Sequence, residues 1–121
     1  MLEKQSVGQL GEEIAAKYLK NKGFSILDRN FRRPWGELDI VTEKDGILHF
    51  VEVKSVSYEN KWFSPSDLVH TKKKARLAKI IDTYLENKDQ NIDWQVDVIE
   101  VFLDQKTKKA RANLIENIEL V

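Results

Sequence analysis

Two strand-like segments joined through a tight turn constrain this chain more than any other feature. Gly36-Glu37-Leu38-Asp39-Ile40-Val41 and Phe50-Val51-Glu52-Val53-Lys54-Ser55 set acidic residues among β-branched and aromatic ones, as strands entering a buried sheet do. Lys44-Asp45-Gly46 between them supplies the Asp-Gly pair favoured in tight hairpins. Paired antiparallel, the segments bring Asp39 and Glu52 to one end of a sheet, with Lys54 beside them. Side chains alternate along a strand, so Glu52 and Lys54 share one face while Val51 and Val53 share the other. Charge among apolar strands is costly to bury unless it is paired or binds a metal. The cluster is therefore the first candidate for a functional site.

The rest of the chain reads as a frame for that hairpin. Its 121 residues predict one domain, 1–121, large enough for a single core. Val7, Leu10, Ile14, Tyr18 and Leu19 recur at helical spacing, so Ser6 to Asn21 reads as an amphipathic helix with Gly23 as its C-terminal cap. Phe24 to Leu27 reads as a short first strand, and Arg29 to Trp35 as an irregular connector in which Pro34 forbids a central strand. Ser57 to Ser66 has no clean period and reads as a loop. Ala75, Ala78, Ile81 and Leu85 mark a second helix from about Thr71 to about Asn87. Trp94 to Leu103 is a strong strand, and Ala110 to Ile115 returns as an edge strand. The expected order is α-β-β-β-α-β-β, an α/β fold with one mixed sheet flanked by helices.

Composition excludes several classes. Twenty basic and twenty acidic side chains cancel, so nucleic-acid affinity would need a local basic patch. No cysteine is present, which removes disulfides, thiol nucleophiles and thiolate metal sites. The apolar runs are too short to span a bilayer and Met1-Leu2-Glu3-Lys4 does not open a signal peptide, so no membrane partner and a cytoplasmic location are expected.

An acid on one strand followed by Glu-x-Lys on the next suits metal-dependent phosphodiester cleavage. Asp39 and Glu52 offer hard oxygen ligands to Mg²⁺ or Mn²⁺, with the Val53 carbonyl as a further ligand. Lys54 is placed to orient an attacking water or to stabilise transition-state charge. The bland alternative is a set of surface cross-strand charge pairs. Glu-x-Lys alone is commonplace, and what distinguishes it here is Gly-Glu-x-Asp at hairpin distance. Glu12, two residues beyond core-facing Leu10, is a further acid that can reach the sheet edge. Glu37 reads either as a carboxylate supporting the ligands from outside or as a salt-bridge partner. Asp97, also expected to support the ligands from outside, interrupts an apolar strand and needs a partner, for which Arg32 and Lys73 are candidates. Arg32 and Arg33 before the hairpin, and Lys72, Lys73 and Arg76 on the second helix, are candidate phosphate contacts. A solvated helix face explains the second group equally simply. Trp35 and Trp62 flank the hairpin, where they either stack on bases or bury at a core edge or dimer contact. His49, out of phase with Glu52, and His70, in no metal-spaced cluster, are not expected to be ligands.

These residues also carry a resemblance. Gly8-x-x-Gly11-Glu12-x-x-Ala15-x-x-Tyr18-Leu19, Asn30-Phe31-Arg32, Gly36-Glu37-Leu38-Asp39-Ile40 and Phe50-Val51-Glu52-Val53-Lys54 resemble, in that order, the uncharacterised YraN-like family. That family is similar to archaeal Holliday-junction resolvases and is placed with the PD-(D/E)XK nuclease superfamily. The resemblance runs from about Val7 to Asp97 and implies a restriction-endonuclease-like fold. Asp39, Glu52 and Lys54 match the superfamily's catalytic positions, Glu12 matches the helix acid that completes the metal site, and Lys73 matches a basic position on the second helix. Relatives commonly carry Arg where this chain has Val56, and Arg-Phe-Asp where it has Gln95-Val96-Asp97. Both differences are expected to remove a cation from the phosphate path.

The expected function is a Mg²⁺- or Mn²⁺-dependent endonuclease acting on DNA, on branched or damaged DNA in repair or recombination. The rival is a nuclease-fold protein that binds nucleic acid or acts as a scaffold without useful catalysis. A homodimer is expected if both strands are cut, and the Ser57 to Ser66 loop, with Trp62 and Phe63, is expected either to pack against the second copy or to close over substrate.

Overall fold

Local signals set the ends of the first helix in the computed structural model, which describes residues 6–57, 71–89, 91–104 and 106–120. Helix α1, Val7–Asn21, opens on a capping box: Ser6 Oγ accepts the Gln9 N–H at 3.1 Å, and Ser6 N–H donates to Gln9 Oε1 at 3.2 Å. Two donors that the helix start would otherwise leave unpaired are thereby satisfied. Gly23, at φ +92°, turns the chain out of α1, and the Phe24 N–H closes back on the Leu19 carbonyl at 3.0 Å.

Strand β1 spans Ser25–Arg33, which corrects the short strand and irregular connector expected there. It pairs antiparallel with β2, Gly36–Lys44, with a bulge between Ile26 and Asp28. An edge strand has one neighbour and one covered face, so its run of polar residues does not prevent pairing. Pro34 falls in the turn after β1, where its missing N–H costs no ladder bond. β2 pairs antiparallel with β3, Ile47–Ser57. Asp45 and Gly46 between them have φ of +53° and +79°, the two positive values that a type I′ hairpin turn requires.

Helix α2, Thr71–Leu85, crosses over to β4, Asp93–Asp104, which lies parallel to β3. β5, Lys109–Ile115, returns antiparallel to β4. The result is one mixed five-stranded sheet in the order β1-β2-β3-β4-β5, and the chain follows the expected α-β-β-β-α-β-β order. Among the described residues no helix is long and apolar enough to cross a membrane. Ser57 ends β3 and does not begin a loop. Trp62, Phe63 and His70, and the side chain of Lys72, lie outside the described residues.

Each helix covers one face of the sheet. On the α2 face Leu77, Ile80, Ile81 and Tyr84 pack on Leu38, Val41, Phe50 and Val98. On the α1 face Ala15, Ala16 and Leu19 pack on Ile40, Val51, Ile99 and Val101. Burial of such aliphatic side chains stabilises the fold by roughly 1.5–3 kcal/mol each. Along β2 the alternation of faces breaks at one place: Leu38 and Val41 both belong to the α2 side, and Ile40 to the α1 side. Asp39 occupies that break.

Candidate active site

The break at Asp39 turns a strand residue into a site residue. Ladder pairing of β2 with β3 runs from Lys44↔Ile47 to Ile40↔Val51. At the next position the Asp39 carboxylate takes over, its Oδ2 accepting the Val53 N–H at 2.9 Å. This bond anchors Asp39 across from Glu52, which the strand period turns to the α2 face.

Glu52 is only 4% exposed. Lys73, reaching down from α2, places its Nζ 3.2 Å from Glu52 Oε2. Burial and then the Asp39 charge push the Glu52 carboxyl up to about 7, against the pull of Lys73 and Lys54. Lys54 moves the other way, down to about 8, through burial and its hydrogen bond and charge contact with Lys73. For Lys73 burial favours the neutral amine, but Glu52, Lys54 and Asp39 outweigh it and its pKa is raised. Glu52 and Lys73 thus form a half-covered ion pair with Lys54 as its neighbour.

Glu12 arrives from α1 because of the glycine before it. Gly11 is buried against Ser55 of β3, and a Cβ at that position would collide with the Ser55 side chain. The helix therefore approaches the sheet as closely as a bare backbone allows. Burial, and then Asp39, raise the Glu12 pKa, with Glu37 adding to them against Arg29 and Arg32. With its amide nitrogen turned towards the acids, Asn30 donates to Glu12 Oε1 at 3.0 Å and to Glu37 Oε1 at 3.2 Å. Asn30 has φ +54°, a left-handed conformation that asparagine tolerates better than most residues. Its bridging role escaped sequence reasoning, and asparagine at an irregular point of an edge strand was the available signal. Glu37 also meets Arg32 at 3.3 Å, with side chains 40% and 69% exposed, a contact worth little in water.

Glu37, Asp39, Glu52 and Lys73 open onto a cleft of about 490 Å³ between the β1–β2 hairpin and α2, lined also by Arg32, Arg33, Pro34, Gly36, Arg76 and Leu77. Acids form its floor and cations its rim.

Asp97 does not join them, which corrects its expected place beside the metal ligands. It lies on the α1 face, in register with Val51, fully buried. Its Oδ2 meets His49 Nδ1 at 2.7 Å, while Oδ1 accepts from Gln95 Nε2 at 2.8 Å and from the Asn117 N–H at 2.9 Å. Neither Arg32 nor Lys73 is its partner, since each pairs with a glutamate at the cleft. Gln95 is likewise on the face opposite the cleft, so it takes no cation from a phosphate path there. His49, Asp97 and Glu116 are the one trio of metal-type donors gathered within 4.8 Å among the described residues. Both Asp97 oxygens of that trio already have protein partners.

Glu12, Asp39 and Glu52 are acids of the type a divalent cation takes, although their oxygens do not gather within 4.8 Å of one another as those of the His49 trio do. Burial first and the Asp39 charge second raise the pKa of both glutamates, and a cation would offset the second of these. Lys73 partly supplies that relief through Glu52 Oε2.

A mixed five-stranded sheet with strand-borne carboxylates, met by lysines from β3 and α2 under a cation-rimmed cleft, defines an α/β protein. The chain belongs to the Uncharacterised protein family UPF0102, whose profile matches residues 11–101. It is 38% identical over 119 residues to a UPF0102 protein of Campylobacter hominis, covering 98% of each chain. To one of Fervidobacterium nodosum it is 45% identical over 97 residues, covering 77% of this chain and 71% of the relative. To one of Clostridium beijerinckii it is 36% identical over 114 residues, covering 93% and 92%. Among solved structures it is similar to an fdxN element excision controlling factor protein from Anabaena variabilis. There the identity is 18% and the TM-score 0.43, over 88% of this chain and 98% of that one, too loose a likeness to carry an argument.

Proposed function

We propose that this protein is a metal-dependent endonuclease that hydrolyses DNA phosphodiester bonds, with branched or damaged DNA as its substrate class. The observation that carries the reading is Glu52, a strand carboxylate 4% exposed, with Asp39 and two lysines around it under a cation-rimmed cleft. A structural ion pair would need one lysine and no second carboxylate.

Glu12, Asp39, Glu52 and the Val53 carbonyl would hold Mg²⁺ or Mn²⁺, which when bound supplies Lewis acidity towards phosphate and a lower water pKa. The remaining steps fall to the chain's own residues. Arg32, Arg33, Lys73 and Arg76 hold backbone phosphates, a contact independent of base sequence and weakened by salt. Lys54, its pKa near 8, orients the attacking water and can exchange a proton close to neutrality. Asp39, pinned by the Val53 N–H, keeps the acids in register with Lys54.

The test is incubation with Mg²⁺ or Mn²⁺ and a panel of linear, flapped and four-way DNAs. Nicks are expected with the wild type, none with excess EDTA, and a rate lower by about 100-fold or more for Asp39→Ala and Lys54→Ala. Nicks persisting undiminished in both variants would identify a contaminant.

One observation favours the rival, a nuclease-fold protein that binds nucleic acid without cutting it: Lys73 already engages Glu52. Val56, 6% exposed where relatives commonly have Arg, points the same way. Equal, salt-dependent DNA binding by wild type and Asp39→Ala, with no cleavage under either metal, would establish it.

A further inference from the structure

Trp35 has a place in the fold that the acidic cluster does not explain. β1 and β2 remain paired as far as Arg33↔Gly36, so Pro34 and Trp35 alone form the turn. The residues on either side of Trp35, Pro34 and Gly36, line the cleft. The hairpin tip is pressed against α2, since a Cβ on Gly36 would stand 3.1 Å from the Ile80 Cβ. Even so, Trp35 is 41% exposed.

Its orientation is fixed. The indole Nε1–H donates to Thr83 Oγ1 at 2.9 Å, and that hydroxyl donates on to the Lys79 carbonyl at 3.1 Å. Lys79 Nζ lies 6.0 Å from the ring centroid. With its one polar group satisfied inside the protein, the indole has only its π surface to offer a ligand. A side chain already locked loses little rotamer freedom on binding.

Position supplies the rest. Arg76, at the cleft, precedes Lys79 and Thr83 on α2 by about 4.5 and 10.5 Å at 1.5 Å per residue. A stacked strand advances about 3.4 Å per nucleotide, so Trp35, held at Thr83 and Lys79, stands roughly one to three nucleotides along α2 from Arg76 at the cleft. A strand held by Arg33, Arg76 and Lys79 would pass it. Bases inside a duplex present no free face, whereas an unpaired base does.

We propose that Trp35 is a stacking platform for one unpaired nucleobase at the mouth of the cleft. The site then takes DNA whose strands part beside the phosphate that reaches Asp39 and Glu52. This inference rests on the nucleic-acid reading above and narrows its substrate class.

The experiment measures binding by fluorescence anisotropy with Ca²⁺ in place of Mg²⁺, using a fully paired duplex and the same duplex with a short splayed fork. Wild type should prefer the fork by about 5- to 150-fold, the worth of one stacked base. Trp35→Ala should lose that preference with duplex affinity unchanged, and Trp35→Phe should retain most of it. On wild type, 2-aminopurine at the first unpaired position should be quenched on binding. Duplex binding with no fork preference, a preference that survives in Trp35→Ala, or 2-aminopurine left unquenched on the bound fork would each overturn the Trp35 inference and leave the nuclease reading standing. Failure of wild type to bind either DNA would overturn both.

Discussion

Burial and Asp39 hold the Glu52 carboxyl near 7, above the 4.5 of an unperturbed glutamate. A raised acid pKa has a definite sign in stability. This group favours the folded chain fully below about pH 4.5, and that contribution is lost as pH rises through about 7. At about 1.4 kcal/mol per unit the loss is a few kcal/mol. Glu52→Gln should therefore gain little on wild type at about pH 5 and clearly more at about pH 8.5, read from thermal melts. A gain of equal size at both would show that charge burial is not its source. Lys54, lowered to about 8, runs oppositely: its contribution is present above 10.5 and lost as pH falls through about 8. Its partial exposure keeps that effect small. A Mn²⁺ ligand must be ionised, so calorimetry near pH 6, in buffers of differing ionisation enthalpy, should record release of about one proton. Mn²⁺ uptake without proton release would remove Glu52 from the donor set.

At the scale of elements, the approach of α1 to β3 depends on one missing methyl group. Gly11→Ala sets a Cβ against the Ser55 side chain, and overpacking of this kind costs about 1–3 kcal/mol. The next residue, Glu12, would be carried away from Asp39 with the helix. Denaturant melts should show the loss, and Mn²⁺ titration should show weaker binding than wild type. Normal Mn²⁺ affinity in a destabilised Gly11→Ala protein would separate Glu12 from the metal site. The capping box gives a milder case. Ser6→Ala should cost about 1 kcal/mol and leave Mn²⁺ affinity unchanged.

Across the whole molecule, Asp97 joins parts far apart in the chain. It ties β3 through His49, β4 through Gln95 and the segment after β5 through the Asn117 N–H. Beside it the Ile118 N–H donates to the Val96 carbonyl at 2.7 Å, and Ile118 and Leu120 pack on the α2-side core. Asp97→Ala leaves His49 and two donors without their buried acceptor, at a cost of about 3–5 kcal/mol. Hydrogen exchange at Ile118 should quicken well beyond that of the β2–β3 ladder. Because Asp97 lies on the face away from the cleft, Mn²⁺ affinity of the folded fraction should not change. A change in that affinity would return Asp97 to the site.

What the sequence by itself determined was the order of elements and the Asp39, Glu52 and Lys54 cluster. Both rest on short-range physics: helical and strand periods are local, and an Asp-Gly turn brings two neighbouring segments together at little entropic cost. β1 was only half legible, because an edge strand needs backbone partners and few apolar side chains. The tertiary structure alone decided that Lys73 pairs with Glu52, that Asn30 bridges Glu12 and Glu37, and that Asp97 turns away to His49. The His49–Asp97 contact joins strands separated by a crossover and a parallel register, and the other two bring a helix residue to a strand. A one-residue change in register exchanges the two faces of a strand, and no local pattern records which register the packed core will select.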